Sequence, residues 1–131
     1  MTETSGFCSS YCGWHSSAST SAGNLKFAFV GVPPSSCSGC YAQSTSPNGN
    51  FGVDGAVSVI AHELAEAATN PLGTGWFYQS STLYVENGDQ CAWNFPGLKS
   101  LNGAYYNIVV GGKNYLIQSN WNLNTKTCTM S

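Results

Sequence analysis

Apolar residues hold nearly every position from Gly55 to Ala68, where Ser58, His62, Glu63 and Glu66 are the polar side chains. A segment apolar on almost all faces predicts a largely buried helix, with Asp54 as its N-cap and Asn70-Pro71 as its stop. Elsewhere the period shortens. Lys26–Val32 reads as a strand ended by Pro33-Pro34, and residues 35–52 read as a loop. A short strand is expected near Leu83–Glu86, followed by Asn87-Gly88, a two-residue turn signal that brings Glu86 and Asp89 close together. The apolar runs Ala104–Val110 and Lys113–Gln118, parted by Gly111-Gly112, predict a hairpin. Gly6–Ala22 is rich in serine and reads as a loop tied down by cysteine. No internal repeat or boundary divides residues 1–131, so the expectation is a single α+β domain with one central buried helix on a small, mostly antiparallel sheet.

Charge narrows the function classes. Charged residues are 8% of the 131, with four lysines, no arginine and six acids. No basic patch can be assembled, which excludes a nucleic-acid interface. No apolar run is long enough to cross a bilayer, and residues 1–20 lack a hydrophobic signal core, so the chain reads as a mature form whose targeting segment has been removed. Six cysteines, at 8, 12, 37, 40, 91 and 128, form an even set in a small chain. Such a set favours three disulfides and an oxidising compartment. The simplest pairing is Cys8–Cys12, Cys37–Cys40 and Cys91–Cys128; the competing view is a structural zinc site from Cys8, Cys12, Cys37 and Cys40.

The candidate chemistry sits on the central helix. His62 and Glu66 are four residues apart and therefore side by side, with Glu63 projecting about a third of a turn away. The H-E-x-x-H metallopeptidases use this arrangement to hold a metal and activate its water; here Glu66 replaces the second histidine. A solvated polar stripe is the bland reading, and the flanking Val59, Leu64 and Ala67 argue against it. Five of the six acids, Asp54, Glu63, Glu66, Glu86 and Asp89, fall within positions 54–89, leaving Glu3 apart. Two carboxylates at one turn repel unless a cation, a proton or backbone donors intervene. The Glu86/Asp89 turn is therefore a source of the missing ligand, with Asp89 preferred and Glu86 behind it. His15 reads as a structural group beside Cys12 or as a further ligand. Trp14, Trp76, Trp93 and Trp121 are expected mostly in the core, with one or two on a cleft rim to grip a sugar or peptide.

Several segments together resemble a known family. They are Phe7-Cys-Ser-Ser-Tyr-Cys12-Gly-Trp-His15, Cys37-Ser-Gly-Cys40, Ser46–Gly55, Val59–Pro71, Asp89-Gln-Cys91 and Tyr115-Leu-Ile-Gln-Ser-Asn-Trp121. In this order, from about Phe7 to Cys128, they are similar to the EXORDIUM / phosphate-induced protein 1 family of secreted, cell-wall-associated proteins. The resemblance implies an apoplastic setting linked to growth, and a metallopeptidase-like branch where H-E-x-x-E is kept. Some members lack the His-Glu pair, so family likeness does not by itself imply catalysis. Typical members carry a long N-terminal region ahead of the Phe-Cys segment; this chain is thus expected to be a trimmed or processed piece, or a short branch, and its cleft is incomplete if a strand from that region borders the site.

The resulting expectation is a secreted, monomeric, metal-dependent hydrolase-like domain, a zinc peptidase acting on a peptide or protein. His62, Glu66 and Asp89 are its metal ligands and Glu63 its general base. With one imidazole and two carboxylates, zinc is the expected cofactor and manganese or calcium is tolerated. The rival is a non-catalytic extracellular module that binds a cell-wall glycan or a receptor, the same cluster being structural. A protease-derived inhibitor or effector ranks third.

Overall fold

The computed structural model describes residues 5–130; Glu3 lies outside them. β1 (Gly13–Thr20) and β2 (Gly23–Val30) form an antiparallel hairpin paired from Gly13↔Val30 to Thr20↔Gly23. The turn closes at Gly23, whose φ of 109° suits a residue without Cβ. β1 corrects the loop expected over Gly6–Ala22. Its serines hide the strand because small polar side chains give no apolar alternation, yet the pleat still turns His15 and Ser17 inward while Ser16 and Ala18 are exposed. β2 ends two residues earlier than expected.

α1 (Phe51–Thr69) also starts earlier than the apolar run suggests. Asn50, not Asp54, is its N-cap and accepts from the Val53 N–H at 3.1 Å. Asp54 lies inside the first turn, where a negative charge suits the helix dipole, and accepts from Ser46 Oγ and from Asn48 Nδ2. The helix ends as expected: the Asn70 N–H donates to Glu66 O at 2.7 Å, and Pro71 follows.

The helix is central, as expected, but less of it is buried than its apolar composition suggests. Its inner face is Gly52, Gly55, Ala56, Glu63 and Glu66, whereas Val53, Ile60 and Leu64 are 45%, 50% and 67% exposed. Ile60 and Leu64 instead border an open apolar groove with Ala28 and Val30 of β2.

Beyond α1 the chain runs through β3 (Tyr78–Gln79), β4 (Tyr84–Val85), α2 (Asn87–Gln90), β5 (Lys99–Leu101), β6 (Ala104–Tyr106), β7 (Ile108–Val110), β8 (Lys113–Tyr115), β9 (Asn120–Asn122) and β10 (Thr127–Thr129). All strand pairs are antiparallel two-stranded ribbons, so the fold is α+β with its sheet divided among hairpins. The hairpin at Gly111-Gly112 forms as β7–β8, and both glycines have positive φ. Asn87-Gly88 makes one helical turn rather than a β-turn.

The cysteines form three disulfides, Cys8–Cys37, Cys12–Cys40 and Cys91–Cys128. The long-range pair is the expected one; the two local pairs are not. The β1–β2 hairpin returns the chain so that residues 37–40 lie against residues 8–12, and each cysteine finds its partner across that gap. With their sulfurs joined in pairs, these four residues offer no thiolates for a zinc site. Among the described residues, the buried apolar side chains are Pro33, Cys37, Cys40, Ala56, Cys91 and Ala104, with no large aliphatic or aromatic side chain among them. The tryptophans are correspondingly not core: Trp14, Trp76 and Trp121 are half-buried and Trp93 is 49% exposed. A domain with so little apolar interior depends on its cross-links.

Candidate functional site

One face of α1 presents Glu63 and Glu66 almost fully buried, at 6% and 4% exposure, with His62 at its edge. His62 Nε2 lies 3.1 Å from Glu66 Oε1 and 3.5 Å from Asp89 Oδ1. On the other side of the same carboxylate, His15 Nε2 from β1 lies 3.5 Å from Glu66 Oε2 and 3.3 Å from Glu86 Oε2. The five side chains expected as metal ligands, His15, His62, Glu66, Glu86 and Asp89, thus lie together. They divide differently, however: Asp89 joins His62, Glu86 joins His15, and Glu66 belongs to both groups.

The turn of α2 sets this division. Asp89 Oδ2 accepts from the Glu86 N–H at 3.2 Å, closing a capping box that sends the two acids to opposite sides. Gly88 is what lets the turn lie on the helix. A Cβ there would meet Glu66 Oε1 and His62 Nδ1, each at 3.0 Å. The contact is used, for the Asp89 N–H donates to Glu66 Oε1 at 3.0 Å.

Two positioning residues carried no signal in the pattern. Gln118 is buried; its Nε2 donates to Gly88 O at 2.8 Å, so its Oε1 faces His62 Nδ1 at 3.2 Å and accepts from it. That bond fixes the ring and aims Nε2 at the carboxylates, the outer-shell arrangement of a metal-ligating histidine. Asn70 is 1% exposed and donates through Nδ2 to Glu86 Oε1 at 2.6 Å and to Tyr84 Oη at 2.7 Å. Its Oδ1 accepts from the Gly75 N–H at 2.6 Å. A sequence-level hint existed for both, since each falls in a segment carrying the family resemblance, but each also had a local explanation as a helix stop or a strand end.

Electrostatics are dominated by burial against crowding. Burial works against a charge on His62, but Asp89, Glu66 and Gln118 outweigh it and push its pKa up to about 10. Burial raises Glu63 to about 7, Glu66 adding to the rise while His62 opposes it. The bond to His62 holds Asp89 below the usual carboxylate range. Among the described residues, every ion pair is one of the four within this cluster, and all four lysines are exposed elsewhere.

His62, Glu63 and Asp89 open onto a cleft of about 340 Å³ walled by Tyr11, Tyr41 and Trp93. Gly13 packs against Glu63 so closely that a Cβ would come within 2.8 Å of Oε1. The donor set fits a divalent cation. Atoms each about 2.0–2.2 Å from one ion, at angles near 90–110°, stand roughly 3–3.5 Å apart, and His62 Nε2 stands 3.1 and 3.5 Å from the two oxygens.

Residues 2–131 match the family model described as the phosphate-induced protein 1 conserved region. The chain is 35% identical over 149 residues to Protein EXORDIUM-like 3 of Arabidopsis thaliana, covering 94% of this chain and 44% of that protein. Protein EXORDIUM-like 5 of Arabidopsis thaliana is 31% identical, with 94% and 42% covered. Protein PHOSPHATE-INDUCED 1 of Nicotiana tabacum is 30% identical, with 95% and 49% covered. The chain therefore spans somewhat under half the length of these curated relatives. No solved structure matches it. The chain belongs to the phosphate-induced protein 1 family.

Proposed function

We propose that this domain is a metal-dependent hydrolase of the extracellular space, cleaving amide bonds in peptides or proteins. His62, Glu66 and Asp89 hold a zinc ion and Glu63 is the general base. The observation that carries this reading is His62 Nε2 standing 3.1 Å from Glu66 Oε1 and 3.5 Å from Asp89 Oδ1, beside a buried glutamate raised to about 7, on the floor of an open cleft. An ion there would supply Lewis acidity and lower the pKa of a coordinated water. Glu63 takes the proton from the attacking water at its carboxylate and passes it to the leaving amine. Water is thereby added across the amide. Asp89, the most exposed of the three donors, holds the mouth of the site, while Trp93 on the rim offers a surface for the substrate.

Secretion is part of the proposal. Three disulfides suit an oxidising compartment, and among the described residues no helix is long and apolar enough to cross a membrane.

One observation favours the rival, a binding module for a cell-wall glycan or receptor in which the cluster is structural: every buried side-chain polar atom among the described residues already has a partner. Glu63→Gln separates the two. Under the hydrolase reading the variant keeps its zinc and its fold but loses at least a hundredfold in cleavage of a degenerate peptide library, as loss of a general base does. Equal peptide turnover by wild type and variant removes Glu63 from the role of base; no turnover by either when zinc-loaded hands the function to the binding module.

A further inference from the structure

We propose that the chain holds a second divalent cation, bound by His15, Glu86 and Oε2 of Glu66, so that the Glu66 carboxylate bridges two ions. This rests on the metal-site reading of His62, Glu66 and Asp89 given above.

The geometry of Glu66 is the first ground. Its two oxygens face different imidazoles, Oε1 at 3.1 Å from His62 and Oε2 at 3.5 Å from His15, which in turn lies 3.3 Å from Glu86. Charge-assisted N–H···O bonds are ordinarily about 2.7–2.9 Å long, so His15 is poorly served as a mere hydrogen-bond donor to either acid. The same spacings match donors that share one ion.

Orientation is the second. Asn70 engages Oε1 of Glu86 from a fully buried position, leaving Oε2 for His15. Metal-bound carboxylates are characteristically pinned this way from behind. Asn70 is itself fixed by Tyr84 and Gly75, so the arrangement persists without any contribution from the cation.

Charge is the third. Glu63, Glu66, Glu86 and Asp89 are gathered where no lysine reaches, and a single dication at His62 leaves the Glu86 side with His15 as its one possible counter-charge among the described residues. Finally, the second position has its own entrance. His15, Ser17, Asn70, Tyr84 and Glu86 line a separate cleft of about 270 Å³, to which His62, Glu63 and Asp89 do not contribute. An ion there completes its shell with water without obstructing the substrate cleft. Its role follows from that placement: it ties β1 to α1 and to the start of α2, and it holds Glu66 for the first ion. One imidazole with two carboxylates accepts zinc or manganese.

The test is metal stoichiometry on the folded, metal-stripped chain, titrated separately with zinc and manganese and checked by elemental analysis after dialysis. Wild type is expected to bind two ions; His15→Ala, Glu86→Gln and His62→Ala are each expected to bind one. The manganese-loaded wild type should give an exchange-coupled paramagnetic resonance signal, since ions bridged by one carboxylate lie about 3.5–4 Å apart, and His15→Ala should give an isolated-ion signal. One ion in wild type, unchanged in Glu86→Gln, overturns the second site and leaves the first standing. No bound ion in wild type overturns both. Because the wild-type count decides, misfolding of a variant does not shield the proposal.

Discussion

At the scale of single residues, His62 is the group on which a proton competes with the ion we propose. Its pKa of about 10 in the metal-free fold means that each ion bound near neutrality must displace a proton from Nε2. Apparent zinc affinity should therefore rise about tenfold per pH unit from 7 towards 10, and calorimetry in buffers of different ionisation enthalpy should report about one proton released per ion at the His62 site. An affinity independent of pH would contradict the assigned protonation. Stability of the metal-free chain should move the other way. A histidine whose folded pKa is raised contributes stability that is complete below its unfolded value, near 6.5, and is lost as pH rises towards about 10. Glu63, an acid raised from 4.5 to about 7, likewise costs stability as pH rises through that window. Thermal melts should thus show the stripped protein losing stability between pH 6 and 9, and His62→Ala should flatten the upper part of that slope. The chemistry-bearing side chains were legible in the sequence because helical spacing places His62, Glu63 and Glu66 without further information. Gln118 and Asn70 were not, since their partners lie 56 and 16 residues away and no local pattern encodes such contacts.

At the scale of elements, the sequence revealed α1 and the β7–β8 hairpin but misplaced what surrounds them. Apolar composition implied burial of the whole helix, yet burial depends on having a neighbour to pack against, and the Ile60/Leu64 stripe faces an open groove. Leu64→Lys is accordingly expected to change stability by no more than about 0.5 kcal/mol in chemical denaturation, although leucine in a helix is usually taken as core; a loss several times larger would mean that the stripe is covered. β1 escaped notice because its strand character resides in pairing with β2 rather than in its own serines. Asn87-Gly88 had the composition of a hairpin turn, but the reciprocal bonding of Glu86 and Asp89 favours a helical turn instead. The site makes Gly88→Ala a sharp probe. The added methyl meets the carboxylate of Glu66 and the His62 ring at 3.0 Å, so the expected cost is about 1–3 kcal/mol together with weakened zinc binding; a variant that binds zinc like wild type would show that α2 does not sit on the helix as described.

At the scale of the whole molecule, cross-links replace the apolar core that this chain lacks. Cys8–Cys37 and Cys12–Cys40 fasten the segment ahead of β1 to the one ahead of α1, and Tyr11 and Tyr41 from those segments wall the cleft. Replacing Cys12 and Cys40 by serine should cost about 2–4 kcal/mol and loosen the cleft wall before it disturbs α1. Peptide mapping without reduction should recover Cys8 joined to Cys37; a Cys8–Cys12 peptide would show that the local pairing holds after all. The even number of cysteines foretold the disulfides, but connectivity depends on how the hairpin folds back, and that is a property of the three-dimensional path.

The central claim is that His62, Glu66 and Asp89 hold a divalent ion through one imidazole and carboxylate oxygens. X-ray absorption at the zinc edge, on metal-stripped protein given a single equivalent of zinc, tests it most directly. The expected result is a nitrogen and oxygen shell at about 2.0–2.2 Å with the outer scattering of one imidazole per ion, that scattering lost when both His62 and His15 are replaced by alanine. A hydrated ion without imidazole scattering, or a shell containing sulfur, would contradict it.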